Sequence, residues 1–346
     1  MNRRHFLNMS LLSSAAFSLP VTAVTAGWRT FDLSYDIELL GLAGPADLWL
    51  PLPQILGDFQ RVETPVFQTN ADSRGIYHDP SDGTPLFHAH WNKSVSSRVA
   101  NVSMRVSTRD RHTGLKESRQ TLPSEAIRYL RASPSMPTDG IVAQRATEIT
   151  RGAKGPLQKS HAIYQWIVDN TFRDPKVKGC GRGDIRYMLE SGDLSGKCAD
   201  LNSLFVGLAR ASGVAAREVY GIRVADSAQF QSLGKSGDIS KAQHCRAEFY
   251  LPGTGWVPVD PADVRKAVLE EKLPLNDPRI GALRKRLFGY WEMNWVGFNR
   301  ARDFVPQPPA REPFKFFMYP HAETATDASD DLDPPSFRYR ISSREI

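Results

Sequence analysis

The chain has 346 residues, with 44 lysines and arginines against 38 aspartates and glutamates, 41% hydrophobic residues and three cysteines. An ordinary apolar share with about a quarter of the residues charged supports a folded core and excludes a largely disordered chain, and the length suggests two domains. Three cysteines are too few for a disulfide framework and provide no C-x-x-C zinc spacing, so neither staples nor a structural metal organise the chain.

The first 26 residues contain Arg3 and Arg4 and no other Lys, Arg, Asp or Glu. Arg3-Arg4-His5-Phe6-Leu7, a weakly apolar stretch rich in Leu, Ala and Ser, and a small-residue exit at Val24-Thr25-Ala26 read as a twin-arginine-type signal peptide over residues 1–26. Asn2 and Asn8 depart from the usual motif and leave a Sec-type signal as the alternative. The mature chain is then expected to start near Gly27 and to be exported, periplasmic or secreted. The stretch is too polar to favour an anchor and no later segment approaches 18 apolar residues, so no membrane span is expected in the mature chain. Without Arg3 and Arg4 the net charge falls from +6 to +4, and no run of five like charges occurs, so no nucleic-acid surface is expected.

From Phe31 to Leu39 every second residue is apolar, the period of a half-buried strand. Shorter alternating runs at Leu48 to Leu52, Pro85 to Trp91 and Val99 to Thr108 complete a small antiparallel β-domain over residues 27–125. His88 and His90 share one strand face; with no third ligand at a recognised spacing they read as ordinary strand residues rather than metal ligands.

After Pro137 the period changes. Thr138-Asp139 opens a helix to about Arg151, and Pro156 lies in the first turn of a second helix with a buried stripe at Leu157, Ile163, Trp166 and Ile167. His161 on that helix is given no role. A Gly-rich stretch, Asp174 to Gly183, leads to a short helix at Asp184 to Glu190. From Ser195, a candidate N-cap, to Gly213, a natural C-terminal stop, Leu201, Leu204, Phe205 and Leu208 mark a buried helix face. Cys198 then lies in the first helical turn, where free N–H groups and the positive dipole end favour thiolate.

His244 to Leu251 alternates, and Trp256 to Asp260 follows a turn at Pro252-Gly253. A turn centred on residue 252 makes His244 and Asp260 direct cross-strand neighbours; a half-residue slip would put them on opposite faces. Beyond it, Arg284-Lys285-Arg286 reads as a solvated helix face, and the acidic run from Asp327 to Asp333 as a solvated loop rather than a calcium site.

A thiol at a helix start, a histidine opening a strand and an acid ending the next are what a cysteine acyl-transfer enzyme needs. Cys198 is the candidate nucleophile, His244 the base, and Asp260 the group that fixes the imidazole. Gly196-Lys197-Cys198-Ala199-Asp200, Ala216-Arg217 with Gly221, His244 with Glu248, and Trp256 with Asp260-Pro261 resemble the linked motifs of the transglutaminase-like superfamily. The resemblance spans roughly residues 155–263. It implies an α+β, papain-like core with a helix-borne Cys packed on an antiparallel sheet and a Cys-His-Asp triad, in a catalytic domain over residues 126–263, and a family of peptidases, amidases and cross-linking enzymes.

The expected activity is therefore a thiol-dependent hydrolase of peptide or other amide bonds, needing no cofactor and acting on a peptide or protein substrate. Transfer to an amine and a non-catalytic binding or assembly protein are the alternatives. The backbone N–H of Cys198 is one expected oxyanion donor. In an oxidising compartment Cys180 and Cys245 could pair, against the alternative of two buried free thiols. Residues 264–346 lie outside the motifs; Trp291 to Trp295 and Phe314 to Tyr319 are too aromatic for a tail, so this extension is expected to pack on the catalytic domain.

Overall fold

The computed structural model describes residues 27–40, 43–80, 83–95 and 97–346; the proposed signal peptide lies outside the described residues. No helix among the described residues is long and apolar enough to cross a membrane. The protein is α+β: two antiparallel sheets at the N-terminal side share a core with a helix-covered central sheet.

The period-two run forms strand Arg29–Leu39, and its apolar residues Phe31, Leu33, Tyr35, Ile37 and Leu39 are all buried. It pairs along its full length with Arg98–Thr108. The second sheet is built on Ala46–Pro51 and Pro85–Trp91, whose Leu48, Leu50, Phe87 and Ala89 meet the first strand's inner face in one hydrophobic cluster. The Tyr35 hydroxyl crosses between the sheets to donate to the Pro51 carbonyl at 2.8 Å. On the outer face, His88 Nε2 and His90 Nδ1 both bond Asp47 Oδ1 at 2.8 Å, so this carboxylate accounts for the paired histidines.

The end of the chain completes both N-terminal sheets. Tyr339–Glu345 pairs with Arg29–Leu39 from Phe31↔Glu345 to Ile37↔Tyr339, and His321–Glu323 adds an edge strand beside Ala46–Pro51. Both N-terminal sheets are thus completed by residues more than 200 positions away. Strand edges leave backbone groups unpaired, and these two short C-terminal strands satisfy them.

The helix-covered central sheet runs in the order Gly255–Val259, Arg246–Leu251, Ala216–Arg223, Trp295–Asn299, all antiparallel. Helix Cys198–Ala211 packs on one face, buried from Cys198 through Ala209, with helices Gly140–Ile149 and Gly155–Asn170 behind it. Gly213, at φ +83°, stops the cysteine helix as expected. The basic triplet ends helix Pro278–Arg286, where Arg284 pairs with Asp169.

Candidate active site

Cys198 is the first residue of its helix. Ser195 is not the N-cap: Ser195-Gly196 forms a two-residue parallel ladder with Phe172-Arg173, and the extended Lys197 takes the cap position. The capping acceptor comes from inside the helix. Asp200 Oδ2 accepts the Lys197 N–H at 2.9 Å, while Oδ1 accepts the N–H groups of Arg182 and Gly183, each at 2.9 Å. One buried carboxylate therefore closes the helix start and ties the preceding Gly-rich loop to it, which gives the Asp of the Gly-x-Cys-x-Asp pattern a physical reason. The fit excludes side chains: a Cβ on Gly196 would lie 2.5 Å from the Asp200 Cβ, and one on Gly181 (φ +96°) 1.8 Å from Asp200 Oδ2.

The hairpin fixes the other two residues by a register different from the expected one. Ala247 faces Val259 and Leu251 faces Gly255, so the turn is centred on residue 253, one position later than expected. A whole-residue shift keeps side chains on their face, and His244 meets Asp260 along the diagonal rather than directly opposite. His244 Nε2 is 2.7 Å from Asp260 Oδ2, and both residues are buried. The His244 backbone is clamped by its N–H to the Gly221 carbonyl at 2.9 Å and by Trp295 Nε1 donating to its carbonyl at 2.8 Å. With Nε2 turned to the carboxylate, Nδ1 is the ring nitrogen left for the thiol.

Asp260 has three tasks. Besides orienting His244, its Oδ1 caps helix Pro261–Glu270 by accepting the Asp263 N–H at 3.1 Å, and it receives Asn202 Nδ2 at 3.3 Å. Asp263, Arg223 and Arg246, which sequence reasoning did not single out, complete the charge pattern. Asp263 Oδ1 lies 3.4 Å from His244 Nε2 and is held by Arg223 Nη2 at 2.5 Å, and Arg246 Nε stands 3.7 Å from Asp260. A signal was present in Asp260-Pro261-Ala262-Asp263, where an N-cap acid is followed by another in the first helical turn.

These contacts set the protonation pattern. Neighbouring Cys180 and Cys245 thiols and the His244 imidazole together outweigh burial and hold Cys198 well below the usual thiol range. For His244, burial and Arg223 push the pKa down, but Asp263 and Asp260 prevail and raise it. Asp260 is raised by burial and by Asp263, while for Asp263 burial is overcome by Arg223 and His244, which lower it. A lowered thiol beside a raised imidazole favours a thiolate–imidazolium pair.

His244, Asp260 and Asp263 are also the one group of potential metal ligands found within 4.8 Å of one another among the described residues. The arrangement is a poor cation site: His244 and Arg223 already occupy the carboxylates, and two guanidiniums stand beside them.

Cys198 and His244 open into a cavity of about 1120 Å³. Cys180 and Gln243 line it too, and the C-terminal part of the chain contributes Tyr319 and Tyr339. All three cysteines are free thiols, so Cys180 and Cys245 are not bridged here.

The chain matches the "Transglutaminase-like superfamily" over residues 143–261, which include Cys198, His244 and Asp260. A protein from Haemophilus influenzae, described as uncharacterized, is 39% identical over 355 residues, covering 97% of this chain and 96% of the relative. Among solved structures, a candidate cysteine protease from Cytophaga hutchinsonii superposes with a TM-score of 0.54 at 16% identity, over 92% of this chain and 98% of that one. The periplasmic domain of TgpA from Pseudomonas aeruginosa reaches 0.37 at 18% identity, over 72% and 74%. The similarity to the first structure extends the shared fold across the N-terminal sheets as well as the helix-covered central sheet. The chain belongs to the transglutaminase-like superfamily.

Proposed function

We propose that this protein is a thiol-dependent hydrolase of peptide or other amide bonds that works through a thioester on Cys198. The observation that carries the reading is the relay behind one cavity: a lowered thiol and an imidazole that both open into it, and, 2.7 Å from the imidazole Nε2, the carboxylate of Asp260, wholly buried. The Cys198 thiolate attacks the amide carbonyl carbon, and the oxyanion forms near the Cys198 N–H, which as the first helical N–H has no intrahelical partner. Collapse breaks the C–N bond as the His244 imidazolium gives its proton to the leaving amine. His244 then takes a proton from water, which attacks the thioester and releases the acid and the Cys198 thiol. Asp260 holds the imidazole in the required tautomer and stabilises its charge.

Acyl transfer to an amine shares every step up to the thioester. An exported, periplasmic location belongs to the same reading and rests on residues 1–26.

The test incubates mature protein and a Cys198→Ala variant with a mixed peptide library, with and without a primary amine, and follows products by mass. Amide cleavage lost in the variant supports the hydrolase. Amine incorporation lost in the variant supports transfer. Identical products from both proteins defeat both readings and leave a binding or assembly role.

A further inference from the structure

All three cysteines of the chain converge on the reactive one, although the hydrolytic chemistry uses a single thiol. Cys180 is held against the start of the cysteine helix by backbone: its carbonyl accepts the N–H of Ala199, the residue after Cys198, at 2.8 Å. The next two N–H groups in the loop, those of Arg182 and Gly183 after Gly181, are fixed by the Asp200 carboxylate of the same helix. The Cys180 Sγ also lies 3.1 Å from the Gln243 carbonyl oxygen and so stands beside His244 as well. Cys180 and Cys198 both line the active-site cavity, so a small oxidant that enters it meets both.

We propose that Cys180 is a resolving cysteine: peroxide oxidation of Cys198 is captured by Cys180 as a reversible Cys180–Cys198 disulfide. The proposal extends the nucleophile reading and needs no substrate. In the first step the Cys198 thiolate attacks one oxygen of a hydroperoxide; an S–O bond forms, the O–O bond breaks, and the leaving oxygen takes a proton from the His244 imidazolium. Sulfur is oxidised to the sulfenic acid and the peroxide is reduced to water or an alcohol. In the second step the Cys180 sulfur attacks the Cys198 sulfur; the S–S bond forms, the S–O bond breaks, and the Cys180 proton leaves with the hydroxyl as water. A dithiol restores both thiols by exchange.

The two flanking thiols differ in their access to the cavity, which Cys180 lines beside Cys198 and Cys245 does not. Cys245 sits between His244 and strand Arg246–Leu251, wholly buried, and its carbonyl is tied to Asn202 Nδ2 at 2.8 Å. Cys180 lies in a loop between Gly179 and Gly181, both at positive φ, outside any helix or strand. Burial and the neighbouring Cys198 keep both flanking thiols protonated, so Cys198 is the first to be oxidised. Disulfide formation removes the nucleophile and spares it irreversible oxidation to the sulfinic acid.

The experiment treats the mature wild type and the Cys180→Ser and Cys245→Ser variants with a few equivalents of hydrogen peroxide. Each is blocked with iodoacetamide, digested without reductant and mapped by mass, with a parallel portion reduced by dithiothreitol before blocking. The expected wild-type product is a peptide pair joining Cys180 to Cys198, with Cys198 labelling restored by dithiothreitol. Cys180→Ser should show about tenfold less recoverable labelling, its Cys198 appearing as sulfinic or sulfonic acid, while Cys245→Ser behaves as wild type. A wild-type bridge to Cys245, a Cys180–Cys245 bridge, or equal over-oxidation of Cys198 in wild type and Cys180→Ser overturns the proposal. The wild-type map decides by itself if a variant misfolds. Because the readout is mass rather than turnover, its failure is separate from failure of the hydrolase reading.

Discussion

Replacing Glu248 by Gln tests how far charge holds the back of the central sheet to the N-terminal unit. Glu248 is 1% exposed and accepts Arg217 Nε at 2.6 Å and Arg111 Nη1, with Arg300 Nε 3.9 Å away. Arg111 arrives from the N-terminal side, on a two-residue strand paired with Tyr290-Trp291. Burial pushes the Glu248 carboxyl up, but Arg111, Arg217 and Arg300 prevail and bring it from 4.5 down to about 2. At about 1.4 kcal/mol per pKa unit, that depression corresponds to roughly 3 kcal/mol of stability at pH 7. A depressed carboxylate contributes fully above its unfolded value of 4.5, and the contribution is lost as pH falls through about 2. Glu248→Gln also leaves three guanidiniums without a counter-charge, so the total loss at pH 7 should be about 3–5 kcal/mol. Urea unfolding at pH 7 should show that gap between wild type and variant, and the gap should narrow by about 2 kcal/mol at pH 3. A gap below about 1 kcal/mol at pH 7, or one unchanged at pH 3, refutes the reasoning.

Three further outcomes are expected. Because Cys198 is lowered and His244 raised, iodoacetamide labelling of Cys198 should be complete well below pH 8.5, and His244→Ala should move the labelling midpoint up towards that value; an unmoved midpoint counts against the ion pair. Asp260→Asn keeps the shape but not the charge and should lower kcat by about 10³–10⁴ with a small change in KM, measured on a substrate found in the library test; a loss under tenfold would remove Asp260 from the relay. Deleting residues 339–346 exposes the edge of Arg29–Leu39 and removes buried Tyr339 and Ile341, so cooperative thermal unfolding should be lost or shifted down by about 7 °C, the shift that about 5 kcal/mol of burial and pairing produces in a chain of this size; an unchanged melt would contradict the role of that strand.

Local periodicity was the legible part. Pro85 to Trp91 is a strand over the same residues, and the nine-residue alternation from Phe31 to Leu39 lies within Arg29–Leu39, because a strand with one buried face writes period two into its own sequence. The cysteine helix was legible from its apolar face and its terminal glycine, and Cys198 falls in its first turn as expected, but the cap was not legible: Lys197, not Ser195, holds that position. Asp200 caps the helix from within and binds a loop 17 and 18 residues upstream, and no local motif states that reach. Hairpin register was legible only to the parity of its turn, which sufficed to keep His244 and Asp260 on one face while misjudging which residues stand opposite. The shared carboxylate of His88 and His90 came from a neighbouring strand for the same reason: cross-strand partners are chosen by pairing, not by sequence distance.

The cysteines divide the two sources of information most clearly. Composition established that three thiols could build neither a disulfide framework nor a zinc cluster, and the motif around Cys198 marked it as the candidate nucleophile. A linked set of short motifs sufficed for the family because each encodes a close packing around one helix start and one hairpin. Only the tertiary structure brought Cys180 and Cys245 against that nucleophile, put Asp263 and Arg223 beside the imidazole, and returned the C-terminal strand to the first strand of the chain. These are contacts across 18 to more than 300 residues. Local sequence carries the propensity of each segment, while chain closure over such distances is decided by which buried faces and unpaired edges must be satisfied together.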